Sequence, residues 1–469
     1  MGRPTDVANF DPFYVVEDNF SMERTLYDSL ARYDPHGRLI PQLAESWEPS
    51  KDGLSLRVTL RNGAVFHSGR EVRASDVAFS VRHAQEKRAG SQLRVLYNLV
   101  TDVETSDERT AVLRFRRPYP AMHDLLELTY VLDEQVATDL KAKPAGSGPF
   151  MVESWQPGNE LVLKRNPHHW DAPRPYLDGV IQRAIPDAQS LVAALQAGDV
   201  DLIWNYPLPF YTQLKRDSRF RVDSGITGAN YYDVTLNVTR APLTDKLVRQ
   251  AINHAIDRKQ FVETVLYGAV TPTQVPFPSY SIAYFRELAD RYPYDLDKAQ
   301  ALLAKAGVSS VSFSAVASAQ VLPGFVPLAE IMQASLKKIG ITMTIMNLEA
   351  ARYWDLDHSS NFQMLMHNYG RANLDPDTTL GTTVAWRPGT NIGKFSDPKY
   401  AQLVTQAGSA TNPTVRKTLY RKIVEIILDE CWDLPIAAVP SPWAMAQRVK
   451  GFAYDRSGYA ILAGTSLRG

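Results

Sequence analysis

Apolar and polar residues alternate in Leu54-Ser-Leu-Arg-Val-Thr-Leu60, which puts Leu54, Leu56, Val58 and Leu60 on one face of an extended chain. A period of two marks a half-buried strand, and Asn62-Gly63 just beyond it supplies turn chemistry. Ala111-Val-Leu-Arg-Phe115 and Leu161-Val-Leu-Lys164 read as further strands and 74–85 as a helix, so 38–172 is a mainly β region. After that the period changes. Residues 180–185 predict a strand, Asp187 caps a helix over 188–197 that Gly198 ends, and 200–204 return as a strand. A strand over 234–238 precedes a helix over 245–267, with Val248, Ala251, Ile252, Ala255, Ile256 and Val262 on one face and Gly268 as its stop. The texture then recurs: helix 295–306, strand 311–316, helix 328–339, strands 341–346 and 362–367, a helix from Asn412-Pro413 to about 430, and a short strand 436–439. Strands alternating with helices predict an α/β class in which helices cover a sheet. The pattern gives two α/β units in tandem, the first carrying a β-rich insertion.

Length and composition agree with that. At 469 residues the chain suits two or three domains. Its 45% hydrophobic and 22% charged residues exclude disorder for most of its length. Lys and Arg number 51 and so do Asp and Glu, so the basic excess of a nucleic-acid binder is missing. The longest apolar runs, such as 426–428 and 436–439, fall far short of the roughly 18 residues that span a bilayer. A single cysteine, Cys431, rules out an internal disulfide and thiolate metal clusters. It follows the apolar run 423–428 of a predicted helix, which favours a buried structural thiol over a nucleophile. Met1-Gly-Arg-Pro4 has no apolar signal core, so the chain reads either as cytosolic or as the mature form of an exported protein.

Catalytic patterns are missing too. The nine histidines include no pair at the i, i+4 spacing of a helical zinc site. Adjacent His168 and His169 would point to opposite faces of a strand. There is no Gly-x-Ser-x-Gly elbow and no Walker loop, and Gly146-Ser-Gly148 runs into Pro149-Phe150 rather than a helix. No catalytic residue, metal site or cofactor is predicted, and the expected function is not enzymatic.

A series of segments carries a resemblance. They are Leu43-Ala-Glu-Ser-Trp47, Leu60-Arg-Asn-Gly-Ala-Val-Phe-His67, Ser75-Asp-Val-Ala-Phe79, Gly146-Ser-Gly-Pro-Phe150 and Lys164-Arg-Asn-Pro-His-His-Trp170. Leu195-Gln-Ala-Gly-Asp-Val-Asp201, Pro242-Leu-Thr-Asp245, Val248-Arg-Gln-Ala-Ile252, Ala255-Ile-Asp-Arg258 and Val449-Lys-Gly-Phe452 continue it in order. Together they resemble the extracytoplasmic solute-binding proteins of the oligopeptide, dipeptide and nickel ABC importers (family 5 type). The resemblance implies a two-lobed periplasmic-binding-protein fold with two hinge crossings and an extra β-rich subdomain inserted in lobe one. It places lobe one at 1–37 and 173–236 with a return at 440–469, the insertion at 38–172 and lobe two at 237–439. It also implies a periplasmic mature chain without its signal peptide. Such a chain would act as a monomer, take a small-molecule solute between its lobes and present it to the permease subunits in the inner membrane.

Side-chain chemistry then narrows the solute. The segment Asn368-Tyr-Gly-Arg-Ala-Asn-Leu-Asp-Pro-Asp377 matches the cleft loop of lobe two. By the resemblance, peptide binders hold the α-amino group on an aspartate three residues before the Asp-Pro pair, and that position here is Ala372. The arginine that holds a dipeptide's carboxylate aligns with Ala319. Without those anchors a buried zwitterion lacks partners. The ligand expected is therefore a non-peptide such as an opine, sugar or sugar-phosphate conjugate, the alternative being an oligopeptide held mainly through its backbone. Candidate binding residues are Tyr369, Arg371, Asn373, Trp386 and Arg387 in lobe two, and Asp18, Arg94, Trp204, Asn205, Tyr206 and Tyr231 in lobe one. Arg371 offers a planar fork for carboxylate or phosphate, and the aromatics offer stacking faces. Each has a plainer alternative: Trp204 and the tyrosines as hinge packing, Arg371 as a partner in an interlobe salt bridge. Tyr231 and Tyr232 cannot both face the solute from one strand.

Overall fold

The computed structural model describes residues 1–14, 20–34, 37–87, 93–225 and 228–468. The chain divides into two compact units, Met1–Thr227 with Ser441–Gly469, and Gly228–Pro440.

The first unit is built on a seven-stranded sheet in the order Phe220–Asp223, Trp443–Ala446, Leu202–Trp204, Gly2–Arg3, Gly179–Ala184, Glu160–Arg165, Phe150–Gln156. Gly2–Arg3 lies parallel to both its neighbours, and the remaining pairs are antiparallel. A four-stranded antiparallel sheet, Ala44–Pro49, Ser55–Leu60, Thr110–Phe115, Val100–Thr105, stands apart from it. The predicted alternation holds there: Leu56, Val58 and Leu60 are buried, whereas Leu54 precedes the strand and is exposed. One hydrophobic cluster joins the two sheets, running from Val58 and Leu113 to Leu161, Leu202 and Trp204. Phe150–Gln156 and Glu160–Arg165, inside the 38–172 segment, pair into the seven-stranded sheet rather than the smaller one.

The second unit is a five-stranded sheet in the order Ile341–Asn347, Val311–Ala317, Met364–Tyr369, Tyr231–Leu236, Asp433–Ala438. The strand Tyr231–Leu236, placed by the sequence reading in the first lobe, pairs here with both of its neighbours, so the division falls near residue 228. The helices form where caps and periodicity direct. Asn412 accepts from the backbone N–H groups of Thr414 and Val415, and its helix runs Pro413–Glu430. Cys431 ends that helix at φ 51°, buried, with its thiol donating to the Leu428 carbonyl at 3.0 Å. The single helix expected over 245–267 is two, Lys246–His254 and Arg258–Thr264. Asp257 captures the Gln260 N–H with its side chain and starts a new helix, although the apolar stripe runs on.

Where the edge strand Asp433–Ala438 pairs with Tyr231–Leu236, two carboxyls lie together. Asp233 and Asp433 are fully buried and hydrogen-bonded to each other, and Thr235 Oγ1 donates to both. His367 Nδ1 lies 3.2 Å from Asp233. Two adjacent buried carboxyls cannot both ionise cheaply. Burial pushes Asp233 up to about 7, and burial together with the charge of Asp233 pushes Asp433 well above the usual carboxylate range. A carboxyl raised in the folded state contributes stability that is complete below its unfolded pKa, near 4, and is lost as pH rises through its folded value. Asp433→Asn is neutral at every pH, so its unfolding free energy relative to the parent chain should grow between pH 5 and pH 8. Urea denaturation at the two pH values checks this, and a constant difference would show that the pair is ionised in the fold.

Candidate functional site

In the first unit the strand Leu202–Trp204 ends beside the returning segment Ser441–Trp443. Trp204 is buried; its Nε1 donates to Ser441 Oγ at 2.9 Å and its ring stacks on Trp443, centroids 5.4 Å apart at 28°. The Arg3 guanidinium sits 5.4 Å from the Trp204 ring centroid. Asn205 takes φ 54° and donates its backbone N–H to the Pro442 carbonyl at 2.8 Å. Tyr206 is buried with no hydrogen-bond partner for its hydroxyl, and burial raises that hydroxyl's pKa. These three form one patch. Arg94 does not join it, because its Nε donates to the Gln85 carbonyl at 2.7 Å and closes the helix Ala74–Gln85. Asp18 lies outside the described residues.

In the second unit the pairing Tyr231↔Tyr369 sets two rings face to face at 5.4 Å and 17°. Trp386 packs 4.2 Å from Tyr369, and the Tyr369 hydroxyl donates to the Pro276 carbonyl at 3.0 Å. Trp386 Nε1 donates to Asp433, which locks the indole to the buried carboxyl pair. Tyr232 points to the other face of the strand, as period two requires, against Phe261 and Phe325. Arg387 fixes structure: Nε and Nη2 donate to the carbonyls of Gly381 and Thr382 at 3.1 and 2.8 Å, closing the helix Pro376–Thr382.

The loop between Tyr369 and that helix is held from several sides. A Cβ on Gly370 would come 2.7 Å from Asn230 Oδ1, the end of an exposed side chain that would have to move aside. Arg371 is half-buried at φ 63°, the left-handed region, and its carbonyl accepts from Thr379 Oγ1 at 2.7 Å. Ala372 is fully buried and its N–H donates to the Ala229 carbonyl at 3.0 Å. Asn373 is buried. Asp375 caps the helix by accepting from Asp377 N–H, and both its oxygens accept from Arg416, at 2.9 and 2.6 Å. This two-pronged ion pair raises the pKa of Arg416 further despite its burial. Ala319, by contrast, is exposed.

Two contributors escape sequence reasoning. Trp443, which carries Trp204, is distant in sequence. Phe277 packs 5.9 Å from Trp386, and the Pro- and aromatic-rich run Val275-Pro-Phe-Pro-Ser-Tyr280 was the signal that could have flagged it. Among the described residues no group of three or more His, Cys, Asp or Glu is placed to hold a metal ion, and no helix is long and apolar enough to cross a membrane.

Residues 38–391, well over half of the chain, match the family described as bacterial extracellular solute-binding proteins, family 5 Middle. The chain belongs to this family. Family 5 proteins are periplasmic components of ABC importers that bind a solute, carry out no chemistry on it and deliver it to the permease. Among relatives, heme-binding protein A of Haemophilus influenzae is 27% identical, the match covering 98% of this chain and 90% of that protein. Among solved structures, the periplasmic binding protein DppA of Helicobacter pylori in complex with the peptide STSA is 26% identical, with TM-score 0.84 over 100% of this chain and 97% of that one. AgaA of A. tumefaciens R10 in complex with agropinic acid is 23% identical, with TM-score 0.85 over 100% of this chain and 98% of that one, and shares the two-lobed fold. The α/β, two-lobed expectation thus stands, as does the binding role.

The Arg416–Asp375 pair should support the family 5 loop energetically. Arg416→Met strands a partly buried carboxylate at the helix cap, and a loss of roughly 3 kcal/mol is expected in urea unfolding. Restoring neutrality with Asp375→Asn in the same chain should recover part of it. A single-variant loss under about 0.5 kcal/mol would mark the pair as solvent-screened.

Proposed function

We propose that this family 5 protein takes up a small, polar, non-peptide solute bearing an anionic group, in the class of an opine, sugar or sugar-phosphate conjugate. The related proteins named for heme, a peptide and agropinic acid show how chemically varied the solutes of one fold are, so the side chains must decide. The observation that carries the reading is the loop after Tyr369. The position that supplies an amino-group-binding aspartate in peptide binders is here a buried alanine, Ala372, and its neighbour is a cation, Arg371. A peptide's ammonium would meet no carboxylate there, whereas a carboxylate or phosphate would meet a guanidinium fork. The stacked Tyr231 and Tyr369 and the neighbouring Trp386 are buried against one another and form the apolar backing of that loop. In this reading Trp204, Asn205 and Tyr206 are the first unit's contribution, and Arg94 and Arg387 serve the scaffold.

Thermal-shift and calorimetric titration with opines, sugar phosphates, oligosaccharides, dipeptides and longer peptides tests the proposal. A response to opines or sugar phosphates is expected. Tight dipeptide binding with no other response would overturn it, and a response confined to longer peptides would favour backbone-held oligopeptides. With an anionic solute, Arg371→Ala should raise Kd at least about tenfold, the scale of one charge-assisted hydrogen bond. Unchanged affinity would make Arg371 a loop-forming residue only.

A further inference from the structure

The first unit holds a polar cavity unconnected with the residues assigned to solute binding. Arg24, Asp28, Arg32, His169, Trp170 and Arg174 form its wall, and water-sized spheres centred inside it sweep about 50 Å³. One water needs roughly 10–15 Å³ on that measure, so the space suits a few waters or one small oxyanion and is far too small for a dipeptide.

The wall is cationic in a specific way. Arg24 is spoken for: Nε donates to Asp455 at 2.8 Å, Nη2 to Glu127 at 3.0 Å and Nη1 to Ser29 Oγ at 3.2 Å. Arg174 reaches Asp171, another residue of the wall, at 3.2 Å. Arg61 lies over the Trp170 ring at 3.6 Å from its centroid. Asp28 accepts from Ser147 Oγ and Trp170 Nε1, at 3.0 and 3.1 Å, through the same oxygen. Arg32 makes no ion pair with any described residue, and its Nε is buried without a hydrogen-bond acceptor. Burial, then the charge of Arg24, presses its pKa down. A partly buried guanidinium without an ion pair is costly, and water can solvate its exposed part but not neutralise it.

A second observation points to the same space. The His169 side chain is 3% exposed, and neither ring nitrogen makes a hydrogen bond; its nearest charged group, Asp28 Oδ1, stands 3.6 Å from Nε2. A buried imidazole without a hydrogen bond and a partly buried guanidinium without an ion pair thus line one small cavity.

We propose that this cavity is a second binding site, for a small oxyanion held by Arg32 and His169 between the guanidiniums of Arg24 and Arg174. Tetrahedral phosphate or sulfate and planar acetate share the required oxygens, and separate arms of the test distinguish them. The site is independent of the imported solute, and its effect on the protein is to neutralise Arg32 and so stabilise the first unit.

The full chain is melted in sodium chloride and in phosphate, sulfate or acetate at matched ionic strength and pH. At 10 mM, at least one oxyanion should raise Tm by about 2 °C or more over chloride, and the anion that does so identifies the tetrahedral or planar class. Arg32→Met keeps the stem and removes the charge. It should abolish the oxyanion-specific shift, weaken binding by calorimetry at least tenfold, and melt in chloride no lower than the parent chain. Equal melting of the parent chain in chloride and in all three oxyanions would overturn the proposal. So would an oxyanion shift that survives Arg32→Met, which would place the anion elsewhere, at Arg371 for example. If Arg32→Met does not fold, Arg174→Gln at the cavity wall serves in its place, with the same loss expected and its retention counting against the site.

Discussion

Asp375 does two jobs with one carboxylate, and the geometry of the candidate solute loop follows from both. As an N-cap it starts the helix Pro376–Thr382, and that helix presents Thr379 to the Arg371 carbonyl. As the acceptor of both prongs of Arg416 it is pinned to the long helix Pro413–Glu430. A non-glycine residue in the left-handed region carries backbone strain and persists only where its surroundings over-determine it. At Arg371 the surroundings are Ala372 tied to Ala229, Gly370 against Asn230, and the cap. The loop can hold a cation at a strained position because the Asp375–Arg416 ion pair, one turn away, does not let it relax.

Behind the loop the aromatics are anchored in the same manner. Trp386 is tethered through its indole N–H to a buried carboxyl at the start of the edge strand, and Tyr369 through its hydroxyl to a backbone carbonyl. Their rings are therefore fixed in orientation from the core outward and back the loop as a rigid, buried layer. In the first unit Trp204 depends likewise on Ser441 and Trp443. One scaffold serves proteins named for heme, a peptide and an opine, so solute choice is a matter of side chains rather than of fold.

How far this was legible in the sequence depends on the range of the interactions. Caps and periodicity are local, so the helices over 74–85, 188–197 and 413–430 were readable to the residue or nearly so. The period of two correctly set Tyr231 against Tyr232. A single local competitor, Asp257, was enough to break a helix that the apolar stripe alone would have continued. Arg94 and Arg387 show the opposite limit. Their chemistry suits a ligand, and only the fold reveals that each is consumed by the carbonyls at the end of a helix. Nor does any local signal announce that Trp443 meets Trp204, or that the neighbouring acid in Asp233 and Asp433 is another acid. Those facts belong to strand order, which periodicity does not encode.

The carboxyl pair also alters the electrical identity of the chain. A count of 51 cations against 51 anions treats every acid as ionised, which describes the unfolded polymer. Near neutral pH the folded pair keeps a proton that the same two carboxyls release on unfolding, on Asp433 first. At this pair the native chain is therefore more positive than the same two side chains in the denatured form. Across a urea-gradient gel, the change in mobility on unfolding would record a charge step as well as an expansion.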